Sequence, residues 1–452
     1  MAQVAAISHA GAADIVAYSQ GQPVGAARFV ADVVRVAEQL PARAFLVNFC
    51  VDRYRFAVGF MAALMRGQTS LLPPNQTPEM LRQLQHEFGE LYALNDAPQD
   101  LGGIEQVTCE LARVTADSPR QFRVPAFPED QVAAIAFTSG STGLPTAHRK
   151  TWGSLARGAS AEAERFALHR DGRATLVGTV PAQHMYGLES TVLMALRAGL
   201  ALHAGQPFYP ADVAAALAQV PGDRVLVTTP VHLRALLNDG IALPLLRLIV
   251  CATAPLPAQM AAQAEARYRA PLHEVFGFTE AGMVATRRTV EGAMWHCLRD
   301  VRLRPNGKTV MVAGGHVENE VQFTDEIQTK GSDAFVLHGR DADLVNIAGK
   351  RTSLGYLNYQ LNCIDGVRDG VFFMPDEEGD GVTRLTAFVV APGVTRDALL
   401  AALRTRVDAV FLPRPLYFVE DLPRNATGKL PRETLRRLAQ TCSGMSTRED
   451  AA

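Results

Sequence analysis

The amino-acid sequence predicts an α/β protein with a large N-terminal domain of stacked α/β sheets, a β-hairpin subdomain and a small α+β C-terminal domain. Short apolar runs alternate with amphipathic helical segments up to Tyr268, which is the pattern of parallel α/β sheets. From about Arg302 the pattern changes to closely spaced short strands. The 452 residues are also too many for one hydrophobic core of ordinary size.

The bulk composition is that of a soluble globular protein and excludes several other classes. Hydrophobic residues make up 48% and charged residues 20% of the sequence, which are ordinary values. A net charge of −2 gives no global attraction to nucleic acid or anionic lipid. The six cysteines lack zinc or redox spacing, and no apolar run approaches the about 20 residues of a membrane span. We therefore expect a cytoplasmic protein with no nucleic-acid partner and no membrane span.

The first domain is predicted from a series of strand and helix pairs. Residues 26–41 place Phe29, Val33 and Val36 on one helical face. The apolar run 44–50 that follows is typical of a buried strand. The same alternation continues with helices at 54–66, 231–237 and 258–268 and with strands at 68–72, 173–180, 223–228 and 246–252.

The second part of the chain is predicted to consist of smaller units. Residues 302–304 and 309–313 flank Pro305-Asn306-Gly307, which has the turn chemistry of a β-hairpin. After His338 the pattern is that of a small α+β unit, which places a domain boundary near 338–342. Its elements are strands at 371–374, 384–390 and 416–419 and a helix at 395–409.

A loop of glycine and small hydroxyl residues follows another apolar strand. Residues 135–143 read Ile-Ala-Phe-Thr-Ser-Gly-Ser-Thr-Gly. Glycine lets the backbone approach a phosphate, consecutive N–H groups form an anion-binding nest, and the hydroxyl groups add donors without bulk. The spacing is not that of a Walker loop. On physical grounds the segment is a candidate phosphate-binding loop, and the alternative is an ordinary flexible turn.

The sequence TSGSTGLP at 138–145 resembles the phosphate loop of the adenylate-forming superfamily. This superfamily includes acyl- and aryl-CoA synthetases, luciferases and the adenylation domains of peptide synthetases. The family loop usually continues Pro-Lys, but here Thr146 follows the proline. Lys150 is our candidate to take the place of that lysine. The resemblance implies that the ATP phosphates bind to Thr138, Ser139, Gly140, Ser141, Thr142 and Gly143.

Two further segments resemble the nucleotide-binding motifs of the family. Residues 276–280 (FGFTE) resemble its aromatic-Gly-x-Thr-Glu motif, which implies that Phe276 and Gly277 lie at the adenine. Thr279 then donates to a phosphate oxygen and Glu280 holds the magnesium ion. These residue types suit the roles, because aromatic faces stack on bases and carboxylates bind Mg²⁺. Upstream, ATAPL at 252–256 resembles a small-residue turn beside the adenine, with Ala254 at its centre.

The ribose site and the hinge between the domains are implied by the same resemblance. Asp325 precedes Gly339 by fourteen residues, near the spacing at which the family has an aspartate that accepts hydrogen bonds from the ribose. Residues 339–343 resemble the hinge of the family, in which Arg340 also reaches the ribose. The resemblance implies an N-terminal domain over 1–338, the hinge over 339–343 and a mobile C-terminal lid domain over 344–452.

Residues 422–430 (LPRNATGKL) resemble the loop that carries the catalytic lysine of the family. Proline, asparagine and glycine favour a turn. An ammonium group at its tip can neutralise charge between the substrate carboxylate and the α-phosphate. We therefore predict that Lys429 is catalytic. The matching segments occur in the order of the family and span about residues 40–435.

Residues 181–187 (PAQHMYG) resemble the segment that borders the acyl pocket in the family. His184 is predicted there as a gate and not as a general base, because a carboxylic acid is already ionised near pH 7. Tyr186 and residues near Met283 are candidate walls of the pocket.

The resemblance implies an AMP-forming acid–thiol ligase with ATP and Mg²⁺ as cofactors. A carboxylic acid is activated as acyl-AMP with release of pyrophosphate and then passes to the thiol of CoA or of an acyl carrier protein. The segment GKRTSL at 349–354 and the missing loop lysine are most similar to small stand-alone ligases of bacterial aryl-polyene and xanthomonadin pigment clusters. Those ligases load an aromatic acid, such as a hydroxybenzoate, onto a carrier protein. A medium- or long-chain fatty acyl-CoA synthetase and a catalytically weak adenylate-binding regulatory protein are the open alternatives.

Overall fold

The computed structural model confirms the predicted α/β class, with stacked sheets followed by a smaller α+β unit. It describes residues 2–73, 76, 78–101, 103–111, 122–139, 145–168, 174–307, 309–323, 325–340, 344–347, 350–375, 385–425 and 428–449.

The strands up to residue 340 supply the sheets of the large unit. In chain order they are β1 Gln3–Ala5, β2 Ile15–Ser19, β3 Gln22–Gly25, β4 Phe45–Asn48, β5 Thr69–Leu72, β6 Leu91–Asn95, β7 Glu105–Thr108, β8 Ala126–Pro128, β9 Val132–Ser139, β10 Pro145–Thr151, β11 Ala174–Gly178, β12 Ala201–His203, β13 Asp223–Thr228, β14 Leu248–Cys251, β15 Leu272–Phe278, β16 Gly282–Arg287, β17 Met294–Cys297, β18 Arg302–Asn306, β19 Thr309–Gly314, β20 Val317–Gln322, β21 Asp325–Thr329 and β22 Ala334–Arg340.

The helices of the large unit cover and separate its sheets. They are α1 Ala26–Gln39, α2 Arg53–Met65, α3 Pro78–Phe88, α4 Trp152–Arg165, α5 Met185–Gly187, α6 Met194–Ala198, α7 Pro210–Gln219, α8 Pro230–Asp239 and α9 Ala258–Tyr268. A π-helical stretch, Leu188–Leu193, joins α5 to α6, and a short 3₁₀ turn occupies Thr289–Glu291.

Two sheets dominate the large unit. The described residues form a six-stranded sheet in the order β10-β9-β5-β4-β6-β7 and an eleven-stranded sheet in the order β21-β22-β17-β16-β15-β14-β13-β11-β12-β2-β3. In the larger sheet β11, β13, β14 and β15 are parallel, and β15 turns back into the antiparallel β16. The loop after β14 and the turn after β15 therefore begin at the carboxyl ends of two neighbouring parallel strands. Ligands bind at these ends in open α/β sheets.

Helix α2 shows why the sheets stack closely. Its residues are buried on nearly every side, as expected for a helix that is apolar all round. Asp52 caps its first turn by accepting a hydrogen bond from the Arg55 N–H. At Gly59 a β-carbon would lie 2.4 Å from the Leu94 side chain on β6. Only glycine lets the helix approach the sheet this closely.

The predicted hairpin forms the start of a separate three-stranded sheet in the order β18-β19-β20. Arg302 pairs with Ala313 and Asn306 with Thr309, and Gly307 has the positive φ of 61° that the turn requires.

The chain after residue 344 forms its own small sheets and its own core. Its strands are β23 Leu344–Ile347, β24 Lys350–Ser353, β25 Asp369–Phe373, β26 Thr386–Val390 and β27 Leu416–Phe418, and its helices are α10 Leu354–Asn362, α11 Arg396–Arg404 and α12 Arg432–Glu449, with a 3₁₀ turn at Ala409–Phe411. Its buried side chains form two clusters, one around Leu357 and Phe372 and one around Phe388 and Leu422. The boundaries at 338 and 344 stay a prediction, because residues 341–343 of the predicted hinge lie outside the described residues.

Candidate active site

The turn that joins β15 to β16 contains the predicted FGFTE motif. Phe276, Gly277 and Phe278 end β15, the turn follows over Thr279–Ala281, and β16 begins at Gly282. The pairing register shifts at Gly277, where a β-carbon would lie 2.5 Å from the Gly282 carbonyl oxygen. A glycine is therefore required at this bulge. The bulge sets Thr279 and Glu280 on a tight turn at the sheet edge.

Two basic side chains of β10 lie against this turn. The ring of His148 faces the Glu280 carboxylate, with 3.7 Å between Nε2 and Oε1. The buried Lys150 ammonium donates a hydrogen bond of 2.7 Å to the Glu280 carbonyl oxygen. The two side chains share a face because residues two apart on a strand point the same way. Burial lowers the pKa of both groups, although the nearby carboxylates partly oppose this shift.

Lys150 contacts the candidate metal ligand Glu280 through the backbone of that residue. Its predicted contact with phosphate stays a prediction. His148 is not among the site residues that the sequence predicts, although it directly precedes Arg149 and Lys150 beyond the loop. Only the tertiary structure shows that β10 lies against the FGFTE turn.

The structure describes the first two residues of the predicted phosphate loop. Thr138 and Ser139 end β9, where their backbones pair with Thr146 and Pro145 of β10. Gly140, Ser141, Thr142 and Gly143 lie outside the described residues. The two strands that flank these residues in the chain, β9 and β10, are antiparallel neighbours.

The predicted adenine residues adjoin an aromatic cluster. The Phe276 ring stacks on Phe323 with 5.3 Å between centroids and 5° between planes. It also meets Trp295 and Phe335 edge to face. Ala254 lies in the turn after β14, and the buried Glu274 carboxylate fixes this turn by accepting from the Leu256 N–H at 3.2 Å.

The two predicted ribose residues face each other across a strand pair. Asp325 on β21 pairs with Arg340 on β22 in the backbone register, and Asp325 is buried. The stacked Phe323 stands two residues before Asp325 on the chain. Phe323 thus connects the predicted adenine residue Phe276 to the segment that leads into β21. The Arg340 side chain lies outside the described part of the structure.

His184 begins the helical stretch that continues through α5 and the π-helix to α6. Its pKa is lowered to about 4, mainly by burial and in smaller part by the Lys429 charge. The preceding Gln183 donates to the Cys50 carbonyl at 2.6 Å. Tyr186 is buried and donates its hydroxyl to the carbonyls of Thr228 and Val250. These bonds fix His184 above the carboxyl ends of β13 and β14.

The Lys429 loop reaches this same region from the C-terminal unit. Hydrogen bonds of 2.9 Å, from the Asn425 N–H to the Lys429 carbonyl and from the Lys429 N–H to Asn425 Oδ1, close the loop. At Gly428, which has φ +77°, a β-carbon would lie 3.0 Å from Val231 on α8. The loop thus packs directly on the large unit, and the Lys429 charge acts on the His184 ring. The catalytic role of Lys429 stays a prediction.

Comparisons with known proteins identify the family. The profile of the family described as AMP-binding enzyme matches residues 90–320. The 4-coumarate–CoA ligase of Rhodobacter capsulatus is 30% identical over 315 residues, which cover 69% of this chain and 78% of that one. This chain belongs to the AMP-binding enzyme family. A 2-succinylbenzoate–CoA ligase of Staphylococcus aureus is 26% identical over 74% of this chain and 73% of its own.

The fold agrees with this assignment. The O-succinylbenzoate coenzyme A synthetase of Bacillus subtilis, solved in complex with ATP and magnesium ion, superposes with a TM-score of 0.78 at 19% identity, over 94% of this chain and 96% of that one. Family membership confirms the predicted AMP-forming acid–thiol ligase, with ATP and Mg²⁺ as its cofactors.

The residues present fit a magnesium ion of this AMP-binding enzyme. Among the described residues no three His, Cys, Asp or Glu side chains are grouped as a metal site. Glu280 offers one partly exposed carboxylate. One or two carboxylates completed by substrate phosphates are the usual protein environment of Mg²⁺. In the described part of the chain no helix has the length and hydropathy needed to cross a membrane.

Proposed function

We propose that this AMP-binding enzyme activates an aromatic, hydroxybenzoate-like acid as acyl-AMP and passes the acyl group to a thiol. The packing of the Lys429 loop on helix α8 carries this proposal, because it holds the proposed catalytic ammonium close enough for its charge to act on His184. Relatives named for 4-coumarate and 2-succinylbenzoate support an aromatic acid.

In the first step the substrate carboxylate attacks the α-phosphorus of ATP. An O–P bond forms to give acyl-AMP, and the bond to pyrophosphate breaks. No proton has to be removed, because the acid is already ionised near pH 7. Lys429 neutralises the charge that moves between the carboxylate and the α-phosphate. Thr279 donates to a phosphate oxygen.

The remaining residues position the nucleotide and its metal. The loop residues Thr138–Gly143 and Lys150 hold the phosphates, and Glu280 holds Mg²⁺, which neutralises phosphate charge when it is bound. Asp325 and Arg340 orient the ribose. Phe276, Gly277 and Ala254 border the adenine. Because the reactants are already held in place, the chemical step no longer includes the entropy loss of bringing them together.

In the second step a thiol attacks the acyl carbon of the adenylate. A C–S bond forms, the bond from the acyl carbon to the AMP oxygen breaks, and the thiol proton is released to solvent. We propose that the lid domain turns about 339–343 between the steps, which withdraws Lys429 and opens a path for the thiol. His184 acts as a gate between the steps, and its lowered pKa keeps it uncharged at neutral pH.

CoA is the thiol named in the relatives, and a carrier-protein phosphopantetheine is the alternative acceptor within the proposal. A cytoplasmic location also belongs to the proposal. It is supported by the six cysteines, all of which are free thiols, as expected in a reducing compartment.

The test is ATP–pyrophosphate exchange without any thiol. The full chain is given 3- or 4-hydroxybenzoate, 4-coumarate, octanoate or dodecanoate, each with ATP, Mg²⁺ and labelled pyrophosphate. We expect the best aromatic acid to exceed both fatty acids by about tenfold or more. Faster exchange with the fatty acids would mean that the substrate is an aliphatic acid and not an aromatic one. Clear ATP binding without exchange for any acid would support a regulatory adenylate-binding protein instead.

A further inference from the structure

The junction between β4 and α2 contains a buried cation that the steps described above do not use. Arg53 is the first residue of α2 and is only 1% exposed. Arginine is almost never fully buried in a protein unless its charge is paired. Burial lowers the pKa of Arg53 to about 10, and the charge of Asp52 partly opposes this shift. The guanidinium group therefore keeps its charge near pH 7.

The partners of this guanidinium group are backbone carbonyls and one hydroxyl group. Its Nη2 atom donates to the carbonyl oxygens of Gly178 and Val180, each at 2.9 Å. Its Nη1 atom donates to Thr191 Oγ1 at 3.1 Å. A buried cation costs desolvation free energy that an apolar side chain of similar size would avoid. Packing alone therefore does not explain a charged side chain at this position.

Arg53 is connected to both ends of residues 181–187, which are called here the acyl segment. Val180, which accepts from Arg53, directly precedes this segment. Thr191 accepts from Arg53 and donates its own hydroxyl proton to the carbonyl oxygen of Gly187, the last residue of the segment. One guanidinium group thus bonds to the residue before the acyl segment and, through a single hydroxyl group, to the end of the segment.

The two ends of the acyl segment lie against each other. At Gly187 a β-carbon would lie 1.9 Å from the Pro181 carbonyl oxygen, so only glycine fits at this position. His184 lies midway between the ends. Its N–H donates to the Pro181 carbonyl at 3.2 Å, and its carbonyl accepts from the Leu188 N–H at 2.8 Å. The position of His184 therefore follows from the position of the two ends.

The same junction holds the acyl segment at a further point. Gln183, the neighbour of His184, donates to the Cys50 carbonyl at 2.6 Å. The space for the guanidinium group is also specific, because a β-carbon at Gly178 would lie 3.0 Å from Arg53 Cζ and even closer to the Thr191 methyl group. Only glycine leaves room for both side chains. The β4–α2 junction thus holds the start, the middle and the end of the acyl segment.

On the basis of the proposed function, in which His184 borders the bound acid, we propose that Arg53 is a positioning residue for acyl-AMP formation. It sets the position of His184 by holding both ends of the acyl segment, and it acts on the acid only through that segment. The proposed nucleotide residues Phe276 and Asp325 lie on other strands, β15 and β21. Loss of Arg53 should therefore weaken productive binding of the acid and leave the binding of ATP unchanged.

The test separates the KM of the acid from the KM of ATP in ATP–pyrophosphate exchange. The acid is 4-hydroxybenzoate or 4-coumarate, whichever the wild type uses better. Arg53→Met should raise the KM of the acid by about tenfold or more, while the KM of ATP stays within about threefold of the wild-type value. Arg53→Lys keeps a charged donor but lacks the planar fork of arginine, so it should recover part of the acid affinity.

A second arginine provides the matched control. Arg224 on β13 donates to the Leu217 carbonyl at 2.7 Å and to the Gly222 carbonyl at 3.1 Å. Arg224→Met should leave both KM values unchanged. If Arg53→Met does not fold, Thr191→Val keeps the side-chain shape and removes the link to the end of the acyl segment. It should raise the KM of the acid by about threefold or more, with the KM of ATP unchanged.

A double-mutant cycle tests whether Arg53 acts through His184. In the His184→Ala background, Arg53→Met should change the KM of the acid by less than about threefold, because the side chain that it positions is already absent. An arginine with a purely structural role would have the same effect in both backgrounds, and that result would overturn the inference.

The outcomes distinguish this inference from the proposed function. A parallel rise in the KM of the acid and of ATP, a fall in kcat alone, or an unchanged KM of the acid in Arg53→Met overturns the positioning role and leaves the proposed function standing. Absence of exchange by the wild type with every aromatic acid overturns the proposed function and this inference with it.

Discussion

Lys429 stands on a loop whose backbone is closed by Asn425 and whose tip packs on Val231. We expect Lys429→Ala to slow acyl-AMP formation by on the order of 10²–10³-fold, because one preorganised charge in the transition state is lost. Thioester formation from supplied acyl-AMP should be nearly unaffected. Single-turnover assays of each step measure this. Lys330→Ala, on an exposed turn, is the control, and equal losses in both steps would argue against the assigned role.

Thr253 shows a conflict between residue type and backbone at the proposed adenine site. Its φ is +83°, a region that β-branched residues rarely adopt and that costs about 1 kcal/mol or more. We expect Thr253→Gly to raise the free energy of unfolding by about 0.5–1 kcal/mol. Urea denaturation measures the change. Thr329→Gly, on the extended strand β21, should instead lower it, and the same sign for both variants would contradict this explanation.

Individual site residues differ in how far the sequence predicts them. Gly277, Glu280 and Lys429 belong to contiguous motifs. Gly277 lies at the end of β15, Glu280 in the turn that follows and Lys429 in the loop before α12.

The buried residues Glu162 and His316 belong to no motif. Their burial follows only from the packing around α4, where Ser154 donates to the His316 carbonyl and Ser190 donates to Glu162. Charged or imidazole groups in a sequence are normally expected at the surface.

At the scale of elements, most strands and helices follow from apolar periodicity. Helix α9 has the predicted bounds, whereas the helix predicted at 395–409 ends at Arg404. The π-helix is not predicted, because its i to i+5 bonding leaves no separate periodic signal in six residues. Arg53, at the start of α2, is fully buried and donates to the carbonyls of Gly178 and Val180. Only the tertiary packing reveals these partners.

The packing of α4 on the π-helix buries Glu162. The free energy of unfolding therefore depends on pH through this carboxyl group. Its folded pKa of about 8 lies above the ordinary value of 4.5 that applies after unfolding. The folded state therefore keeps a proton that the unfolded state releases, and stability falls as pH rises from about 5 to about 8. Glu162→Gln removes this contribution, on the order of a few kcal/mol across that interval.

Urea denaturation at several pH values, with wild type and Glu162→Gln compared at each, measures this effect. The free energy of unfolding of the variant should vary less between pH 5 and pH 8 than that of the wild type. Identical slopes for the two proteins would mean that Glu162 does not retain its proton on folding. Glu189, whose folded pKa is about 7, accounts for part of the slope that the variant keeps.

At the scale of the whole molecule, one aspartate takes part in a polar contact between the two units. Asp369 on β25 accepts from Arg424 Nε at 2.7 Å within the C-terminal unit and from Arg234 on α8 at 3.2 Å across to the large unit. Arg234 and Asp369 are both largely buried. Burial is the main cause that lowers the pKa of Arg234, and the charge of Asp369 partly restores it. The sequence predicts two domains, but it contains no signal for which orientation they adopt, because this pair joins residues 135 positions apart.

The link between Arg234 and Asp369 joins α8 to the C-terminal unit, which carries Lys429, so its loss should affect the two proposed steps differently. We expect Arg234→Met to slow acyl-AMP formation by about three- to tenfold, since a partly buried pair contributes roughly 1 kcal/mol. Thioester formation from supplied acyl-AMP should stay unchanged or become faster. Arg247→Met is the matched control, because Arg247 pairs with Asp223 at 3.0 Å inside the large unit. If both variants slow both steps alike, the contact stabilises the fold and does not select the orientation of the lid.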